Sequence, residues 1–181
     1  MKSFKMVFAL LVLSVAVSAQ TIDLGLGAYA NDKDPIMLAV DAGVASRALE
    51  SPYVMFVLYM ASKDQKQNIS VHRKDVTLVN NGQEYQMPSL KELRKNYGAE
   101  IRDIELLRHL GKEGIASSWV RFYKFPSQGD FFPPLAVRTR IRTDEGSISG
   151  FYSFVTKCYF KNPGFKKGDK PELKGEVAVV L

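Results

Sequence analysis

Residues 53–60, Tyr-Val-Met-Phe-Val-Leu-Tyr-Met, are apolar at every position. Eight such residues, rich in β-branched and aromatic side chains and free of Gly and Pro, predict a central strand covered on both faces. Beyond a polar turn at 62–68, a period of two sets in. It runs through Ile69-Ser70-Val71-His72, Val76-Thr77-Leu78-Val79 and Glu84-Tyr85-Gln86-Met87. The last two runs flank Asn81-Gly82, and Asn-Gly between alternating segments predicts a two-residue hairpin, because both central residues of a type I′ turn need positive φ.

At Pro88-Ser89 the period changes to about 3.6. Ser89 with Glu92 three residues later forms a capping box, so a helix is expected from Leu90 to Tyr97, with Gly98 as its stop. A second helix is expected over 100–110, with Ile101, Ile104, Leu106 or Leu107, and Leu110 on its inner side and Gly111 at its end. Strands return at 118–125, 137–143, 150–160 and 175–181. Upstream, 21–34 reads as a short strand and a loop ending in Asp32-Lys33-Asp34-Pro35. Residues 36–49 fit either a strand pair broken near Asp41-Ala42-Gly43 or a short helix. The pattern predicts a mainly β chain: an antiparallel β-sandwich, immunoglobulin-like or related, with a helical insertion near 89–110. An antiparallel β-barrel is the alternative.

The N-terminus has a different pattern. Lys2 and Lys5 precede twelve residues, Met6 to Val17, interrupted only by Ser14, and Val17-Ser18-Ala19 follows with small residues at the two positions a signal peptidase reads. This is the three-part form of a secretory signal peptide, with cleavage expected after Ala19. Twelve residues are too few to span a bilayer, which takes roughly 20. The expected organisation is a cleaved signal at 1–19 and a single β-rich domain at 20–181, with no transmembrane segment after cleavage. Loss of Lys2 and Lys5 lowers the formal charge from +6 to +4. The remaining excess is one-sided: 20–100 carries 9 basic and 10 acidic residues, and 101–181 carries 14 and 9.

Cys158 is the one cysteine, so no intramolecular disulfide can form. It shares a strand face with Tyr152, Phe154 and Phe160, which marks it as a buried small hydrophobe. Export without disulfides fits a bacterial periplasmic or secreted protein.

Constellations for catalysis are sparse. His72 and His109 are the only histidines, in a strand and at a helix end. Zinc needs three or four ligands from His, Cys or acids, so no metal or other cofactor is expected. Gly146-Ser147-Ile148-Ser149-Gly150 has isoleucine where a nucleophile elbow has serine. Gly25-Leu26-Gly27-Ala28-Tyr29-Ala30 fits G-x-G-x-x-A, but that pattern binds a dinucleotide only between a strand and a helix. Here a charged turn and a proline follow. The chain is therefore expected to be non-enzymatic, with a hydrolase using acidic residues as a minor alternative.

Two segments suggest recognition. In Val137-Arg138-Thr139-Arg140-Ile141-Arg142-Thr143, alternation puts Arg138, Arg140 and Arg142 on one strand face, about 6.6–6.8 Å apart, a ladder suited to phosphate, sulfate or carboxylate. Unless it binds a ligand, the ladder is a solvated face paired with acids across the sheet. Trp119, Arg121, Tyr123 and Phe125 share a face of the preceding strand, and Phe131-Phe132-Pro133-Pro134 follows in a loop. Such aromatics serve either as a platform for sugars and peptides or as core. The expected ligand-binding residues are Arg138, Arg140, Arg142, Trp119, Arg121 and Tyr123. The expected function is an exported binding or assembly module of the cell envelope or secreted space that engages an anionic glycan, lipid headgroup or acidic protein. Nucleic acid is not an expected partner. A barrel-type carrier of small apolar ligands is the runner-up.

Overall fold

The apolar run at 53–60 is the centre of the fold, within a strand covering Tyr53–Ser62. The structure, a computed structural model, describes residues 21–31, 36–64, 66–111, 115–116, 129–133, 141–150, 152–169, 171–175 and 178–180. The expected signal peptide, the loop expected to end at Asp32–Pro35 and the strand expected at 118–125 lie outside the described residues.

In chain order the elements are β1 (Ile22–Gly25), β2 (Ala28–Asn31), β3 (Ile36–Asp41), α1 (Gly43–Arg47), β4 (Tyr53–Ser62), β5 (Asn68–His72), β6 (Val76–Asn80) and β7 (Gln83–Gln86). Helices α2 (Leu90–Asn96) and α3 (Glu100–Gly111) follow. Then come β8 (Gly129–Asp130), β9 (Ile141–Arg142), β10 (Glu145–Ser149), β11 (Phe154–Lys161), β12 (Glu172–Gly175) and β13 (Ala178–Val180). The main sheet has the order β1-β2-β3-β4-β11, and two three-stranded sheets, β10-β5-β13 and β12-β6-β7, accompany it. All pairings in these sheets are antiparallel; β8 and β9 form a separate parallel pair. The architecture is mainly β and consistent with a β-sandwich carrying a small helical insertion. Its sheets do not close, so the barrel alternative is not the architecture adopted.

Strand register shows why β4 can be apolar throughout. Opposed residues of an antiparallel pair share a face, so Val54, Phe56, Leu58 and Met60 of β4 lie beside Phe160, Cys158, Thr156 and Phe154 of β11. Strand β10 covers this face: a Cβ at Gly146 would come within 2.4 Å of the Phe154 ring, so only glycine fits there without a shift. On the other face, Tyr53 of β4 and Tyr159 of β11 both pack on Tyr97, with ring centroids 5.5 and 6.1 Å away. Tyr97 is the residue at which α2 ends. One face of the main sheet thus meets a second sheet, and the helical insertion reaches the other.

Local signals account for several of these elements. Asn81 and Gly82 take φ of 52° and 78°, and Asn80 pairs with Gln83, as a two-residue type I′ hairpin requires. Ser89 caps α2, its Oγ accepting from the Glu92 N–H at 3.1 Å. Residues 36–49 form one strand, β3, and a short helix, α1, with the break near Ala42; the second strand of the pair does not form.

Four expectations need correction. Residues 21–31 form the hairpin β1–β2 rather than a strand and loop, and the G-x-G-x-x-A pattern spans its turn, with Gly25, Leu26 and Gly27 all at positive φ. No helix follows those glycines to hold a pyrophosphate. Helix α3 departs from the expected orientation in its first turn, where Ile101 is 71% exposed while Glu100 and Asp103 are buried; Leu106, Leu107 and Leu110 pack against the core as expected. Of the strand expected at 137–143, the described part is β9, where Ile141 and Arg142 are both exposed. A two-residue strand at the surface does not impose an inside and an outside on its residues. Tyr152 lies outside β11 and is half exposed, whereas Cys158, Phe154 and Phe160 are buried as expected.

Candidate functional site

Arg142, at the end of β9, is the one expected binding residue among those described; Arg138, Arg140, Trp119, Arg121 and Tyr123 lie outside them. Its guanidinium is half exposed and donates to both carboxylate oxygens of Asp144, at 3.4 and 3.2 Å. Arg73, in the turn after β5, donates from Nε to the same carboxylate at 2.8 Å and from its terminal nitrogen to the Pro88 carbonyl at 2.8 Å. The turn places it there, because Arg73 N–H also donates to the Asp144 carbonyl at 2.8 Å. Two guanidinium groups thus converge on one exposed carboxylate. Arg73 in particular holds the Asp144 carboxyl below the usual aspartate range, with Arg142 adding to it. Beside this group, Glu145 accepts from Ser70 Oγ at 2.6 Å and faces the imidazole of His72 at 4.0 Å.

A second polar group is buried. The segment 129–132 runs along β11 and puts Asp130, fully buried, against it. Oδ1 of Asp130 accepts from the N–H groups of Phe132 (3.1 Å) and Lys157 (3.2 Å) and from Thr156 Oγ1 (3.0 Å). Oδ2 accepts from Lys157 Nζ, whose side chain is itself more than nine-tenths buried. Phe131 and Phe132 pack on opposite sides of β11: one ring lies 5.3 Å from Phe154 and the other 5.3 Å, edge-on, from Tyr159. Both are core, so this pair is not an exposed aromatic platform.

The first turn of α3 adds Glu100 and Asp103 to this interior. Asp103 accepts from the Tyr97 hydroxyl at 2.7 Å, and Arg102 reaches the same hydroxyl at 3.3 Å and Ser51 Oγ at 2.8 Å. Burial pushes the Asp103 carboxyl above its ordinary range, more than the Tyr97 and Arg102 contacts pull it down. Glu100 is also raised by burial, partly offset by Arg94 and Lys157. Burial and the hydrogen bond to Asp103 move the Tyr97 hydroxyl up to about 12.

These shifts set a pH dependence. Glu100 and Asp103 bind protons more tightly folded than unfolded, so their stabilising effect is complete below the ordinary carboxylate range and is lost as pH rises through their raised values. Asp144 acts oppositely, losing its contribution as pH falls, but it is exposed and its effect is small. Thermal stability is therefore expected to rise as pH falls from neutral toward the ordinary carboxylate range, and Asp103→Asn should flatten the rise. A melting temperature that falls steadily over that interval would contradict this.

No protein-family model, curated protein or solved structure matches the chain.

Among the described residues, no group of three or more His, Cys, Asp or Glu is placed to hold a metal ion, and no helix is long and apolar enough to cross a membrane. Cys158 is buried with its thiol pushed well up, mainly by burial, which leaves little thiolate. In the small open pocket lined by Leu26, Asp41, Arg47 and Leu110, the polar groups are engaged locally. Asp41 accepts from the Gly43 N–H at 2.7 Å and Arg47 donates to the Gly43 carbonyl at 3.3 Å.

Sequence reasoning passed over Asp130, Lys157, Glu100 and Asp103. Lys157 carried a readable signal: a lone lysine between Phe154 and Phe160 in a strand predicted as core implies a buried acid elsewhere. Glu100 and Asp103 did not, because acids in a first helical turn are ordinarily explained by the helix dipole at the surface.

Proposed function

We propose that the chain is an exported, non-enzymatic binding or assembly module that engages anionic polymers of the cell envelope through the basic surface of its C-terminal half. The observation that carries this reading is the half-exposed guanidinium of Arg142 standing beside that of Arg73 at one exposed turn. The lowered pKa of the Asp144 carboxyl marks a positive local field at the surface, in the segment that also contains Arg138 and Arg140. A phosphate, sulfate or carboxylate on a polymer would meet the same guanidinium donors, and the planar fork of arginine suits all three.

Replacing Arg138, Arg140 and Arg142 together by Ser is the test, with dextran sulfate as the polyanion. Exposed ion pairs are each worth about 0.2–1 kcal/mol. The triple variant should therefore lose up to about 3 kcal/mol, or roughly 150-fold in affinity. Unchanged binding overturns the reading.

A further inference from the structure

We propose that Lys157 and Asp130 condense in the folded chain into an intramolecular amide between Nζ and Cγ, with Glu100 as the proton-transfer group. The inference does not rest on the export or binding reading.

Four features of the interior support it. Both partners are at least nine-tenths buried, and Nζ is already seated on Oδ2. Their burial limits access of water, which would solvate the charges and hydrolyse an acyl centre. The two carboxylate oxygens of Asp130 have different surroundings. Oδ1 faces three donors, the N–H groups of Phe132 and Lys157 and the hydroxyl of Thr156, while Oδ2 faces the amine. Three donors aimed at one oxygen are what an acyl centre needs when negative charge collects there during nucleophilic attack. Finally, Glu100 is a buried acid within electrostatic reach of both Lys157 and Asp130, and its Oε1 has no hydrogen-bond partner among the described residues. A buried carboxyl oxygen left unsatisfied costs stability, and such a group calls for an explanation.

The step balances without any added reagent. One ammonium proton passes to Oδ2, which turns the ion pair into an amine and a carboxylic acid. Nζ then attacks Cγ, and the negative charge forms on Oδ1 under its three donors. Glu100 gives its proton to the Oδ2 hydroxyl and takes one from Nζ, so it ends as it began. The Cγ–Oδ2 bond breaks, Oδ2 leaves as water, the Cγ–Oδ1 carbonyl re-forms, and one hydrogen remains on the amide nitrogen. Burial favours Glu100 in the protonated form the step requires. The product would tie β11 covalently to the segment that runs along it, in a chain whose single cysteine cannot form an internal disulfide.

The test is the intact mass of the purified, denatured protein, followed by fragmentation of its peptides. The mass is expected to lie one water below that of the unmodified chain, with a branched peptide joining residues 130 and 157. Lys157→Arg, which keeps a cation in place, should restore the full mass and abolish the branched peptide. Glu100→Gln should leave most of the protein unlinked. A wild-type protein of full mass overturns the proposal whether or not the variants fold. So does a water loss that maps elsewhere or survives Lys157→Arg, as a succinimide would. Complete linkage in Glu100→Gln would overturn the role of Glu100.

Discussion

Asp130→Ala is expected to lower the free energy of unfolding by at least about 3–5 kcal/mol, because removing one partner of a buried pair leaves the other charge uncompensated, and loss of the amide link would add to this. Here the loss extends further. Lys157 Nζ would have no acceptor, and the N–H groups of Phe132 and Lys157 and the hydroxyl of Thr156 would all lose Oδ1 at once. Lys157→Met should cost less, since Oδ1 keeps its three donors and the methionine fills much of the space of the lysine stem. Urea unfolding of the three proteins measures both effects. If Asp130→Ala cost less than about 1 kcal/mol, the seam would be no more important than an exposed pair.

Phe132→Ala should be comparably severe, at about 3–5 kcal/mol for a buried aromatic truncated in a closed core. Phe132 is fully buried, edge-on to Tyr159, and the Arg73 guanidinium lies 6.0 Å from its ring. This position also decides between two meanings of the Phe131-Phe132 pair. A ligand platform would tolerate truncation and lose only binding, whereas a core residue lowers the melting temperature and moves the urea midpoint. The structure places it in the core, so the stability loss should appear in the absence of any ligand.

Much of the fold was legible because local chemistry and the global pattern agree. The apolar run became β4, Asn81-Gly82 the predicted turn, Ser89 the helix cap, and Cys158 a core residue. The errors came where pairing or packing decides what the local sequence leaves open. At 21–31 the sequence suggested one short strand and a loop, and only the pairing of Ala28–Asn31 with β3 shows the second strand. In α3, periodicity alone put Ile101 inside, but the interior at that turn already holds Lys157 and Tyr97, so the acids turned inward instead. The candidate site was less legible than the fold. Arg142 was found from alternation, yet its pairing with Asp144 and its company with Arg73, 69 positions away in the chain, depend on the pairing of β10 with β5. Asp130 sits 27 residues from Lys157, and nothing in one dimension joins them.

The salt dependence of polyanion binding tests the functional account most directly. Binding of the mature chain to dextran sulfate should weaken steeply as salt rises, because exposed guanidinium contacts are screened within about 10 Å at 0.1 M. In Arg138→Ser/Arg140→Ser/Arg142→Ser, both the affinity and the steepness should fall. A wild-type chain that fails to bind, or a triple variant with the same affinity and the same slope, would contradict the account.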